Sequence, residues 1–304
     1  METVFKHLSW QKNIVRIDWD LGNACNLNCS YCPLNSKAGN YSNPNWGLVS
    51  DFAEKMLDHY DSMGKMAVIG FGGSGEPTIV EWFPNLLRMI NNRVVSVTVG
   101  TNLTAPLEWW EDNCGLITNI NATVHYEHTS LRNLYNTIMM VNDQSKHLNI
   151  GVPMLPSKFN EQLEDMEWFT QTTGIHVSPQ ILLMDMYGGG KWINYTPEQK
   201  LKLENWYNSP AYTISNQNDQ TVLTVHDVAL NESDHNRCFT NWTCNAGIDT
   251  LVIDSRGMVR KSWCAQMSNE QRSMVDWIWD RNPVTCNMLW CRSPSDLMSM
   301  KIKN

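Results

Sequence analysis

The chain has 304 residues, 42% of them apolar, enough to bury a core in two domains or in one large domain with an appendage. Its 23 basic residues stand against 31 acidic ones, a net charge of −8 without any run of Lys or Arg, which disfavours a nucleic-acid-binding surface. The N-terminal segment lacks the basic start and apolar stretch of a signal peptide, and no apolar run has the length of a membrane span, so the expected location is cytoplasmic.

From residue 14 to about residue 184, β-rich apolar runs alternate with segments of helical periodicity. The runs begin with residues 14–21, 66–71 and 94–99, and continue with 117–126, 148–155 and 176–183. Between them, Asp51 with Glu54 three residues on reads as a helix start, Phe52, Met56, Tyr60 and Met63 as its inward stripe, and Gly64 as its stop. Later stripes are Phe83, Leu86, Leu87 and Ile90, then Leu131, Leu134, Ile138 and Val141, then Leu163, Met166 and Phe169. Six such units imply an α/β fold with a parallel sheet and right-handed crossovers, open or curled into a barrel, with ligands beyond the C-terminal strand ends. After residue 184 the pattern changes: Thr196 and Gln199 form a capping box for a helix with Leu203, Trp206 and Tyr207, and residues 208–236 read as polar loops.

Nine cysteines in a reducing compartment point to metal or catalysis rather than disulfides. Three of them, Cys25, Cys29 and Cys32, follow the first strand within eight residues. A loop of this kind can wrap three corners of a cubane cluster and leave the fourth iron without a protein ligand. Zinc is the competing reading, but it normally takes a fourth Cys or His nearby, and none follows in this loop. Cys25-x3-Cys29-x2-Cys32, with aromatic Tyr31 before the last cysteine, resembles the signature of the radical S-adenosylmethionine superfamily. The resemblance implies a partial (β/α)6 TIM-type barrel, a [4Fe–4S] cluster that binds S-adenosylmethionine, and Tyr31 near the adenine.

Two further strand ends carry matching stretches. The second ends in Gly72-Gly73-Ser74-Gly75-Glu76-Pro77, whose glycines permit close backbone approach. It is similar to the family's Gly-Gly-Glu-Pro motif, which implies that Gly73, Ser74, Gly75 and Glu76 receive the methionyl amino group. The third ends in Thr101-Asn102-Leu103-Thr104, similar to a Thr-Asn-Gly-Thr stretch of relatives with Leu103 in the glycine position. Thr101 and Asn102 are candidate cofactor contacts or, equally, an Asx-type turn. At the end of the fourth strand, Thr123 is a candidate cofactor contact and His125 a candidate catalytic group, with a salt-bridged strand end as the alternative; Asp185, after the sixth strand, is in the same category.

Five cysteines, Cys238, Cys244, Cys264, Cys286 and Cys291, crowd the C-terminal region around a hairpin at residues 252–259. They resemble the auxiliary-cluster half of the SPASM and twitch subgroups, and being too few for a full SPASM domain they fit the one-cluster twitch form. Cys244 and Cys264 flank the hairpin; Cys286 and Cys291 complete a set of four with Cys238 spare, or Cys238 replaces one of them. A structural zinc site stays open here, since four thiolates also suit zinc. Cys114 reads as a buried thiol.

The resulting organisation is a radical-generating barrel over residues 1–185, a linker with a helix and loops over 186–236, and a twitch-like domain with a second, auxiliary [4Fe–4S] cluster over 237–304. The resemblance implies an oxidoreductase-type enzyme that cleaves S-adenosylmethionine reductively and abstracts a substrate hydrogen, with a flavodoxin- or ferredoxin-type electron donor. A peptide or protein side chain is the first substrate reading. An aminosugar- or nucleoside-like small molecule is the second, and a non-catalytic zinc-binding scaffold is a third reading of the chain.

Overall fold

The computed structural model describes residues 4–5, 13–32, 44–73, 75–182, 193–207, 213–214, 223–224, 238–268, 270–288, 291 and 299–302. The strands in chain order are β1 (Val4–Phe5), β2 (Ile14–Trp19), β3 (Met66–Phe71), β4 (Val94–Thr101), β5 (Asn119–Thr123), β6 (His147–Pro153) and β7 (Val177–Gln180). Short strands β8 (Thr213–Ile214) and β9 (Leu223–Thr224) pair within the stretch read as loops. The C-terminal strands are β10 (Thr243–Cys244), β11 (Thr250–Ile253), β12 (Met258–Arg260), β13 (Arg272–Ser273), β14 (Val284–Thr285) and β15 (Lys301–Ile302).

Strands β2 to β7 pair in sequence order, all parallel, with helices between them. These are α1 (Trp46–Ser62), α2 (Phe83–Ile90), α3 (Leu107–Asn113), α4 (Tyr135–Gln144) and α5 (Phe159–Thr173), with α6 (Pro197–Tyr207) after β7. All six alternating units are present, and the chain is an α/β fold with a partial TIM-type barrel.

Period-two alternation sets the layers. In β2, Val15, Ile17 and Trp19 are buried, and Trp19 packs edge-on to Phe52 of α1. Arg16 and Asp18 occupy the opposite, less buried face and pair at 2.9 Å. Polar pairs join neighbouring strands in the same way: Asn119 donates to Thr98 and Asn149 to Asn121, each at 3.1 Å.

Helix α1 begins at Asn45, whose side chain accepts from the Leu48 N–H at 2.9 Å, and not at Asp51. Asp51 is mid-helix, because the apolar stripe extends one turn further back to Val49. The helix ends before Gly64, which adopts φ +67°. The capping box of α6 forms as expected: Gln199 N–H donates to Thr196 Oγ1 at 3.2 Å and Thr196 N–H to Gln199 Oε1 at 3.0 Å.

The C-terminal hairpin extends the barrel sheet. Strand β11 lies parallel to β2, Leu251 opposite Ile17, and β12 and β13 follow it antiparallel. Lys65 pairs with Asp249 at 2.8 Å, and Tyr60 Oη donates to the Gly247 carbonyl at 3.0 Å, fastening this segment to the barrel. A separate antiparallel sheet, ordered β1-β15-β10-β14, carries Cys244. Among the described residues no helix is long and apolar enough to cross a membrane.

Candidate active site

A cleft of about 260 Å³ opens at the C-terminal ends of β2 to β5, where a parallel α/β sheet presents its ligand site. Cys25, Cys29 and Cys32 line it together with Tyr31, Gly73, Gly75, Glu76, Thr101, Asn102, Thr123 and His125. Residues drawn from four strand ends in the sequence thus meet in one place. Leu27 and Gly100 line it too, and neither announced itself beforehand, since a leucine between cysteines and a glycine before Thr101 carry no chemical signal. Ser74 and Asp185 lie outside the described residues.

The glycines of the β3 turn are required by close packing. A β-carbon on Gly73, at φ +109°, would stand 2.5 Å from the Asp20 carboxylate. Glu76 N–H donates to the Ala24 carbonyl at 2.7 Å, so this turn is bonded to the backbone of the cysteine loop.

Glu76 is almost fully buried, at 2% exposure, and its carboxylate is the knot of the site. One oxygen accepts from Thr78 N–H at 3.1 Å, Thr78 Oγ1 at 2.7 Å and Thr101 Oγ1 at 2.8 Å. The other accepts from Asn102 N–H at 2.6 Å. Burial raises its pKa, and these hydrogen bonds oppose the rise. Asn102 Nδ2 in turn donates to Asn26 Oδ1 at 2.9 Å and approaches Cys25 Sγ at 3.9 Å. The Asx turn expected at this strand end is also present, with Thr104 N–H donating to Asn102 Oδ1 at 3.0 Å. Leu103 is fully buried at φ +59°.

On the opposite wall, Tyr31 Oη and His125 Nδ1 share a hydrogen bond of 2.7 Å with their rings stacked. Burial, then the nearby His128, pushes the His125 pKa down to about 4, so the ring is neutral at pH 7. Glu127 accepts from Ser30 N–H at 2.6 Å and from the Ser30 hydroxyl. Sulfur of Cys29, a Glu127 oxygen and a His128 nitrogen also lie within 4.8 Å of one another.

The three thiols fit a cationic metal core. Burial pushes Cys29 up to about 11 and raises Cys25, and the neighbouring carboxylates Glu127 and Glu76 act in the same direction. Nothing among these influences generates thiolates at neutral pH except hydrogen bonds such as Leu27 N–H to Cys25 Sγ at 3.4 Å. A bound metal would supply the missing positive charge.

The second group of cysteines also converges. Cys244, Cys264, Cys286 and Cys291 line a single cavity with Ser262, Gln266, Ser299 and Lys301. Ser262 Oγ donates to Cys264 Sγ at 3.1 Å. Cys238 does not line it; it is exposed and lies 3.4 Å from Thr240 Oγ1. Cys114 is fully buried in the main core.

No family model matches the chain, and no curated protein does. Solved structures do. The chain is similar to anSMEcpe with bound AdoMet, at 14% identity and a TM-score of 0.58, over 87% of this chain and 78% of that one. The same protein with AdoMet and the Cp18Cys peptide gives a TM-score of 0.56 at the same identity and coverage. SuiB of Streptococcus suis bound to S-adenosylmethionine is similar at 14% identity and a TM-score of 0.48, over 82% of this chain and 60% of that one. At such identities the likeness to anSMEcpe is one of fold.

Proposed function

We propose that the chain is a radical S-adenosylmethionine enzyme of oxidoreductase type. The observation that carries this reading is the one cleft that unites the three-cysteine loop with Gly73, Gly75, Glu76, Thr101, Asn102 and Thr123. Cys25, Cys29 and Cys32 would hold a [4Fe–4S] cluster, which when bound supplies an electron that splits S-adenosylmethionine into methionine and a 5′-deoxyadenosyl radical.

The chain's own part is binding and orientation. Gly73 and Gly75 bring no side chains of their own to the β3 turn, so the backbone at these two positions is open to the amino group of the nucleotide. Glu76 fixes the relative position of the β3 and β4 ends through Thr101 and Asn102. Tyr31 and His125 form the wall assigned to the adenine, and Thr123 a polar contact beside it. Asp185 is proposed as a catalytic group from its position in the sequence alone.

Cys244, Cys264, Cys286 and Cys291 would hold a second, fully ligated [4Fe–4S] cluster, whose chemistry is electron transfer. The substrate reading is a peptide or protein side chain that is oxidised or rearranged. It is supported by a fold neighbour solved with bound AdoMet and a peptide, and by a barrel face of hydrogen-bonding groups, Arg16, Asp18, Asn119 and Asn149. The electron donor would be of flavodoxin or ferredoxin type.

Anaerobic reconstitution tests the whole. About eight irons per chain and dithionite-dependent release of 5′-deoxyadenosine, lost in Cys25→Ala, are expected. A colourless zinc protein without release would overturn the proposal.

A further inference from the structure

Lys301 is 1% exposed, an unusual place for an ammonium group. It stands directly opposite Cys244 in the antiparallel pairing of β10 and β15, so both side chains project from the same face of the small sheet. It lines the cavity formed by the four cysteines. Its Nζ donates to the Ser299 carbonyl at 2.8 Å and sits 5.0 Å from the centre of the Phe239 ring. These contacts hold the head group inside rather than letting the flexible stem carry it to water.

Four thiolates around a doubly charged core leave an excess of two negative charges in a buried site. A fixed cation at its wall offsets part of that excess, and it does so more strongly the lower the surrounding dielectric. Reduction adds one further negative charge, so the cation favours the reduced form. On the reading that these cysteines hold a second cluster, we infer that Lys301 is its built-in charge partner and sets its reduction potential.

The test compares the full reconstituted chain with Lys301→Met and Lys301→Arg by iron analysis and potentiometric EPR. In Lys301→Met the second cluster is expected to titrate at a more negative potential, its reduced-to-oxidised ratio at the wild-type midpoint falling about tenfold. The potential of the Cys25–Cys29–Cys32 cluster should stay unchanged, and Lys301→Arg should keep both iron content and potential. Loss of the second cluster in Lys301→Met but not in Lys301→Arg also supports a charge role. An unchanged potential in Lys301→Met with full iron, or equal loss of iron in both variants, would overturn it. Were the unaltered chain to bind only about four irons, the second-cluster reading itself would fall.

Discussion

Gly75 lies directly against Ala24: a β-carbon at position 75 would stand 2.3 Å from the Ala24 carbonyl oxygen and 2.9 Å from that of Gly22. Both obstacles are backbone, so neither yields by a rotamer change. Gly75→Ala therefore has to push the cysteine loop away from the β3 turn. The expected outcome is a loss of about 1–3 kcal/mol of stability, typical of overpacking, together with reduced iron retention by the first cluster. Denaturant titration of the metal-free chain and iron analysis after reconstitution measure the two effects; wild-type values in both would refute the contact.

Glu76 makes a second, chemically distinct demand. Its two oxygens accept four hydrogen bonds while buried. In Glu76→Gln one oxygen becomes an NH2 that faces a donor whichever way the amide turns. A stability loss of about 1–3 kcal/mol follows from the unsatisfied groups. The rate of S-adenosylmethionine cleavage should fall as well, because the β4 end is no longer tied to the β3 turn. A variant as stable and as active as the parent would show that the carboxylate holds nothing in place.

Leu103 tests how a substituted motif is accommodated. Its left-handed backbone, φ +59°, is the conformation for which glycine is suited, yet its side chain is fully buried. Leu103→Gly removes about 1–2 kcal/mol of backbone strain but loses the 2–5 kcal/mol typical of truncating a buried leucine, for a net destabilisation of about 0–4 kcal/mol. Thermal unfolding checks the sign. Stabilisation would mean that strain outweighs packing at this turn.

Much of this arrangement was legible in the sequence because it depends on local periodicity. The six alternating units, the capping box at Thr196 and the clustering of motifs at strand ends all follow from spacing within a few residues. The start of α1 was not: Gly47 in its first turn is a poor helix former and masks the Asn45 cap. Nor was the addition of β11 to the free edge of β2, a pairing between residues some 230 positions apart that no local pattern encodes. The same holds for Lys301, whose place beside Cys244 exists only through a cross-strand register.

His125 gives a pH dependence with a defined sign. Its pKa lies at about 4 in the folded chain against 6.5 for the free side chain, so the unfolded chain takes up the proton first. Its contribution to stability is therefore complete above pH 6.5, declines as the pH falls towards 4, and is constant below. Protonation would also commit Nδ1 to donating towards Tyr31 Oη. Urea denaturation of the metal-free chain at pH 7 and pH 5 should show a larger loss for the parent than for His125→Gln. Equal losses would place the ring in a more solvated setting.

The five C-terminal cysteines yield the most discriminating comparison. Cys244, Cys264, Cys286 and Cys291 share one cavity, whereas Cys238 is exposed, with its thiol pKa lowered by hydrogen bonds from Thr240. Cys244 is buried on strand β10 in this cavity, so on the proposed reading no other thiol can take its place without moving a strand. Cys238→Ser should retain about eight irons per chain and both EPR signals, while Cys244→Ser should fall to about four and keep the signal of the first cluster. The reverse result, with iron lost from Cys238→Ser and kept in Cys244→Ser, would require the segment before β10 to fold back over the cavity. Cys244 would then be the spare thiol, and the proposed set of four would be Cys238, Cys264, Cys286 and Cys291.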